Sequence, residues 1–407
     1  MVNSPERQVM ANAIRALSRD AVEAAKSGHP GMPMGMADAA TALFAEHLKF
    51  DASTPDWPDR DRFVLSAGHG SMLIYSLLHL TGYADMTMDQ LRNFRQVGAI
   101  TAGHPEAGHA GGIETTTGPL GQGLANAVGM AMAEHHMASV HGRDLVDHHT
   151  YVIAGDGCLM EGVSHEAASM AGHMGLGRLI VLFDDNGISI DGSTDLAVSD
   201  DTTARFESYG WQVLAVDGHD MNAVSAAISE ARAEEDRPSL IRCRTVIGFG
   251  APNKAGTSGV HGAPLGGDEI AGTRAALGWE HAPFEIPQPI VESWRAVGAR
   301  GRAARQAWEA RHKAADSAAF DAAMAGDFDG PIGDAVLAWK QALAAEPQKI
   351  ATRVASQKAL DAIIPACPAL IGGSADLTGS NNTRAGGQDV YSRDNPAGSY
   401  VHYGVRE

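Results

Sequence analysis

Short apolar and β-branched runs recur along the chain at residues 62–66, 150–154, 179–184, 211–216 and 239–245, separated by longer stretches with helical character. Such alternation predicts an α/β fold, a mainly parallel sheet with helices on both faces. Three of the runs empty directly into glycine and polar clusters: Ala67-Gly68-His69-Gly70, Gly155-Asp156-Gly157 and Asp184-Asp185-Asn186-Gly187. Ligands of open α/β sheets bind beyond the carboxyl ends of the strands, so these clusters are expected to meet at one crevice.

Toward the C-terminus the pattern changes. Residues 289–324 are rich in Ala and Arg and predict long helix, and residues 326–333 then bring glycines and Pro331 and suggest a connector. A second α/β unit is expected to begin near Ala351, with a helix to Ile364 and a strand over 369–372. The expected division is therefore a first domain over 1–330 and a second, incomplete one over 331–407.

Composition narrows the function classes. At 407 residues, 44% hydrophobic and 20% charged, the chain is large enough for two or more globular domains. A net charge of −18 repels polyanions, and no basic face offsets it, so a nucleic-acid role is not expected. Three cysteines at unrelated spacings suit neither a disulfide framework nor a zinc site and point to a reducing, cytoplasmic setting. Neither a secretory signal nor an apolar run of roughly 18 residues is apparent, so no membrane role is expected.

The most informative chemistry is Gly155-Asp156-Gly157 together with Asn186 at the end of the following strand. An Asp and an Asn oxygen are hard ligands suited to Mg²⁺, which usually completes its shell with phosphate oxygens. Glycines let backbone N–H groups approach those phosphates. A bare Gly-Asp-Gly is a common turn; the paired Asn shifts the reading toward a metal site.

This pair resembles the metal-diphosphate motif of thiamine-diphosphate enzymes, and its surroundings resemble transketolases. Ser27-Gly28-His29-Pro30-Gly31, Ser66-Ala67-Gly68-His69-Gly70, Gly103-His104-Pro105-Glu106 and Thr116-Thr117-Gly118-Pro119-Leu120-Gly121-Gln122-Gly123 follow in that family's order. Gly155-Asp156-Gly157-Cys158-Leu159-Met160-Glu161-Gly162, Val260-His261-Gly262-Ala263-Pro264 and Gly372-Gly373-Ser374-Ala375-Asp376-Leu377-Thr378 continue it. The resemblance implies the thiamine-diphosphate-binding fold and reversible transfer of a two-carbon ketol unit through a cofactor carbanion. The donor would be a ketose phosphate such as xylulose 5-phosphate and the acceptor an aldose phosphate such as ribose 5-phosphate.

By position, the resemblance makes Asp156, Asn186 and the carbonyl of Ile188 ligands of Mg²⁺, with Ca²⁺ or Mn²⁺ as alternatives. Gly157 and His69 would contact the diphosphate, Gly118 and Leu120 would wall the thiazolium ring, and His261 would touch both diphosphate and substrate. His29 and His104 would line the substrate channel, with His29 and His261 as the proton-transfer pair, since imidazole titrates near neutral pH. Glu407, after His402-Tyr403-Gly404-Val405-Arg406, matches the catalytic glutamate beside the cofactor's pyrimidine. Glu161 and Glu166 match glutamates at a subunit contact, with solvated charges at a helix start as the alternative reading. Arg353 and Ser380 match residues that hold the sugar phosphate, and Asp376 an acid near the substrate.

The resemblance further implies a homodimer with active sites between subunits. Transketolases continue well past the glutamate matched by Glu407, which leaves the substrate site incomplete in the sequence as it stands and implies little activity without a second, C-terminal polypeptide. Dihydroxyacetone synthase, itself transketolase-like, stays open as an alternative, as does a cofactor-binding half-subunit. Other classes fit poorly: Met160 stands where a dinucleotide fingerprint needs glycine, no glycine precedes a lysine as in a P-loop, and His165-Glu166 lacks the second histidine of a zinc peptidase.

Overall fold

The computed structural model describes residues 4–406, so Glu407 lies outside the described residues. Two compact units result, one formed by residues up to Met132 together with His148–Gln306, the other by Ala133–Asp147 and the chain from Ala307 onward.

The first unit is built on five parallel strands, β1 (Arg62–Leu65), β2 (Thr150–Gly155), β3 (Leu179–Asp185), β6 (Gln212–Asp217) and β7 (Ser239–Arg244), in the order β1-β2-β3-β7-β6. A small antiparallel hairpin, β4 (Ile188–Ser189) and β5 (Gly192–Ser193), follows β3. All five sheet strands agree with the sequence reading to within one residue at either end. Every residue of β3 is buried, which requires cover on both faces and explains why its sequence is a continuous apolar run rather than an alternation. The edge strand β6 is only partly buried. Helix Gly31–Ala42 is buried along its whole length and packs between helices Ser4–Ala25 and Met221–Ala233. None of the helices among the described residues is long and apolar enough to cross a membrane.

Residues 289–324, expected as one long helix, instead form parts of three: Gln288–Ala299, Arg302–Ala314 and Ala318–Ala325. The first break falls at Gly301, where a Cβ would lie 2.1 Å from the backbone oxygen of Phe50. The expected connector over 326–333 is largely helical, because helix Asp329–Ala345 takes Gly330 and Pro331 into its first turn, where the missing proline N–H removes no helical hydrogen bond.

In the second unit, Trp308 is buried and donates its indole N–H to Leu145 O at 2.9 Å, with Phe320 packed beside it. Helix Thr352–Ile363 leads to a parallel pair, β8 (Gly372–Ser374) and β9 (Tyr400–His402), in the register Gly373↔Val401. The strand expected over 369–372 thus begins at the last residue of that range.

Candidate functional site

The three glycine and polar clusters do converge. The turn after β1 carries His69, the short helix Asp156–Met160 begins where β2 ends, and Asn186 follows β3 directly. Together with residues from the segments around His29, Gly118 and His261 they enclose a cleft of about 420 Å³. Its lining includes His29, His69, Gly118, Leu120, Asp156, Gly157, Glu161, Asn186, Ile188 and His261, ten of the positions singled out in the sequence.

The floor of the cleft is acidic. Asp156 Oδ2 accepts the N–H of Gly187 at 3.1 Å, which ties the ends of β2 and β3 together, and Asn186 Oδ1 accepts the N–H of Ile188 at 2.9 Å within the turn after β3. Burial, reinforced by the nearby Asp184 and Asp185 carboxylates, pushes the Asp156 carboxyl up to about 7. Asp184, also buried, is pushed up to about 6. Asp185 is served by Arg242 at 2.6 Å and Arg244 at 3.3 Å, while among the described residues no cationic side chain bonds to Asp156 or Asp184.

One carboxylate, one amide oxygen and one backbone carbonyl on this acidic floor fit a hard divalent cation, whose charge would offset the crowded carboxylates. Among the described residues no group of three or more His, Cys, Asp and Glu side chains takes up metal-binding geometry, and this donor set does not call for one.

Above the floor stand three imidazoles. His69 and His261 stack with centroids 5.1 Å apart, and His29 meets them edge-on at 5.2 and 5.8 Å. Burial holds all three below the ordinary histidine range, His69 to about 3 and His29 to about 4, with their neighbours adding to the shift for these two. At neutral pH the rings are therefore uncharged. His261 Nδ1 is buried and finds no hydrogen-bond partner among the described residues.

Arg95 donates to Ser27 Oγ at 2.8 Å and approaches His29 Nδ1 at 3.4 Å; a guanidinium can only donate, so that nitrogen is the acceptor and the ring proton sits on Nε2. Arg95 holds this place with φ of +61°, in the left-handed region that non-glycine residues seldom occupy.

Two glycines shape the walls. Gly118 has φ of +143°, and a Cβ there would stand 3.1 Å from the His104 ring. At Gly157 a Cβ would stand 3.0 Å from Leu120 Cδ1, on the side of the cleft that Leu120 already fills. His104 is thus brought against Gly118 at the cleft wall. Glu161 ends at the N-terminus of helix Gly162–Met174 and is exposed. Arg353, Asp376 and Ser380 belong to the second unit and are exposed; Asp376 has φ of +64°.

The sequence reading missed two groups. Asp184, although quoted as part of a cluster, was given no role, and its only local signal is an acidic pair ending a buried strand. Arg95 comes from the loop after helix Met88–Arg92 and has no local signal at all.

Residues 6–327 match the family described as transketolase, thiamine diphosphate binding domain, and residues 348–407 match the transketolase pyrimidine binding domain. Transketolase of Cereibacter sphaeroides is 60% identical over 407 residues, covering 100% of this chain and 62% of the relative. Transketolase 1 of Escherichia coli K12 is 54% identical over 411 residues, covering 98% and 62%. The solved structure of a Pichia stipitis transketolase in complex with sedoheptulose-7-phosphate superposes with a TM-score of 0.91 at 41% identity, covering 99% of this chain and 61% of that one. The chain therefore spans about three-fifths of the length of the curated relatives it matches.

Proposed function

This chain belongs to the transketolase family, and on that footing we propose that it carries the cofactor half of a ketol-transfer site. The reaction is reversible movement of a two-carbon ketol unit from a ketose phosphate of the xylulose 5-phosphate type to an aldose phosphate of the ribose 5-phosphate type. The observation that carries the proposal is the convergence of His29, His69 and His261 over the cleft floor formed by Asp156, Asn186 and Ile188.

When bound, thiamine diphosphate supplies the electron sink for cleaving the carbon–carbon bond beside the donor carbonyl. Asp156, Asn186 and the Ile188 carbonyl would hold Mg²⁺, or Ca²⁺ or Mn²⁺ in its place, and Gly157 and His69 would contact the diphosphate. Gly118 and Leu120 would wall the cofactor ring. His261, neutral and with Nδ1 unpartnered, is suited to accept the proton of the donor hydroxyl as the bond breaks, and His29, with its proton on Nε2, to donate to a substrate oxygen. His104 would orient the ketose hydroxyls.

Arg353 and Ser380 would hold the sugar phosphate, Asp376 would read a hydroxyl, and Glu407 would act on the cofactor's pyrimidine. Glu161 would lie at the contact between two subunits of a homodimer working in the cytoplasm, the first domain running to about residue 330. The relative of known structure that binds sedoheptulose-7-phosphate supports sugar phosphates as substrates.

The test is an assay of xylulose 5-phosphate plus ribose 5-phosphate with Mg²⁺ and thiamine diphosphate, using the 407-residue chain alone and with the C-terminal portion of a relative supplied as a second polypeptide. Activity with the added portion supports the proposal. Absence of activity in both arms favours a binding protein without catalysis.

A further inference from the structure

We propose that Asp184 is a positioning residue for the metal site, setting which end of the Asn186 side chain faces the cleft. The inference rests on the assignment of Asn186 as a metal ligand made above.

Asp184 lies one residue before the end of β3 and is 1% exposed. A carboxylate buried so completely is costly unless its oxygens are met by donors. Both are: Oδ1 accepts from the hydroxyl of Thr245, just beyond β7, and Oδ2 accepts from Asn186 Nδ2 at 2.9 Å. The register Asp184↔Cys243 between β3 and β7 is what brings Thr245 within reach.

The chemistry of the pair dictates the amide's orientation. Both Asp184 oxygens act as acceptors, Oδ1 from the Thr245 hydroxyl and Oδ2 from the amide nitrogen, so it is the nitrogen end of Asn186 that faces Asp184. The oxygen end is thereby turned the other way, where it accepts the N–H of Ile188 at 2.9 Å. One buried carboxylate thus sets the direction of the Asn186 oxygen and, through it, the turn that carries the Ile188 carbonyl. With the amide reversed, an N–H₂ would point at the cation. Mg²⁺ demands near-ideal octahedral geometry, so its binding is sensitive to such a reversal.

Calorimetric titration of Mg²⁺ at fixed thiamine diphosphate tests this without any measurement of turnover. Asp184→Ala is expected to raise the Mg²⁺ Kd about ten- to a hundredfold. Asp184→Asn is expected to recover most of the loss, because its amide oxygen still accepts from Asn186 Nδ2 while the Thr245 hydroxyl turns to accept from the new N–H. A Kd for Asp184→Ala within about twofold of wild type overturns the inference, as does Asp184→Asn being as weak as Asp184→Ala, the signature of lost charge alone. Thr245→Val, which keeps the carboxylate but releases one oxygen, carries the test if Asp184→Ala does not fold: a rise of about threefold or more is expected, and an unchanged Kd overturns the inference. Wild-type protein that takes up neither ion nor cofactor overturns the metal assignment and this inference with it; wild-type binding with unaltered variants overturns this inference alone.

Discussion

His69 and His261 stack face to face, ring planes inclined by only 16°, although one follows β1 and the other follows a short turn well beyond β7. Two charged imidazoles would repel across that contact, and burial holds both rings below the ordinary histidine range. In protein completed by the C-terminal portion, His261→Ala is expected to keep much of its affinity for thiamine diphosphate, since His69 and Gly157 remain. Donor cleavage should fall about 10²- to 10⁴-fold, the usual worth of a positioned acid–base group. Release of aldose from xylulose 5-phosphate, followed beside cofactor titration, separates the two; unaltered turnover would count against the assigned role.

Asp156 predicts a conflict between binding and stability. Its carboxyl is buried against two other carboxylates and held near 7, so removing the charge relieves repulsion in the metal-free protein. Asp156→Asn should melt at the same or a higher temperature without metal, yet lose Mg²⁺-dependent binding of thiamine diphosphate. Parallel thermal melts and titrations check this, and wild-type affinity in the variant would contradict the metal site.

Two glycines in helices should respond in opposite directions to the same substitution. In helix Gly162–Met174 a Cβ at Gly172 would lie 1.8 Å from Tyr209 O, a backbone atom that cannot step aside, so Gly172→Ala should cost about 2–4 kcal/mol. Gly129, in helix Gln122–His141, has nothing within 4 Å of its Cβ position, and Gly129→Ala should stabilise by about 0.5–1 kcal/mol. Denaturant midpoints of the two variants measure the contrast.

Buried histidines set the acid side of the stability profile. His47 bonds Ser225 Oγ at 2.8 Å, and burial aided by Arg232 depresses its ring to about 4. Between pH 6.5 and 4 the unfolded chain therefore binds a proton that the folded chain refuses, so stability is complete above 6.5 and is lost as pH falls toward 4. His47→Gln, which can keep a bond to Ser225, should flatten the fall of melting temperature across that window and leave the slope above pH 7 unchanged.

Much of the fold was legible along the chain because the strands of a covered parallel sheet read as continuous apolar runs, as in β2 and β3, and because three of those runs lead into the glycine and polar clusters that a ligand-facing turn requires. The same local signals marked Asp156, Asn186 and His69. What no local pattern carried were events that depend on distant neighbours. The helix break at Gly301 comes from the backbone of Phe50, and the grip of Arg95 on His29 joins two separate loops.

The sequence by itself thus determined where the five sheet strands form and which residue types stand at their ends, because both follow from hydrophobic periodicity and backbone freedom over a few residues. Only the tertiary structure decided which of those residues face one another. The order β1-β2-β3-β7-β6 sets Thr245 over Asp184 and the packing above it sets His261 on His69, and it is burial in that arrangement that shifts the Asp184 carboxyl up and the two imidazoles down from their ordinary values.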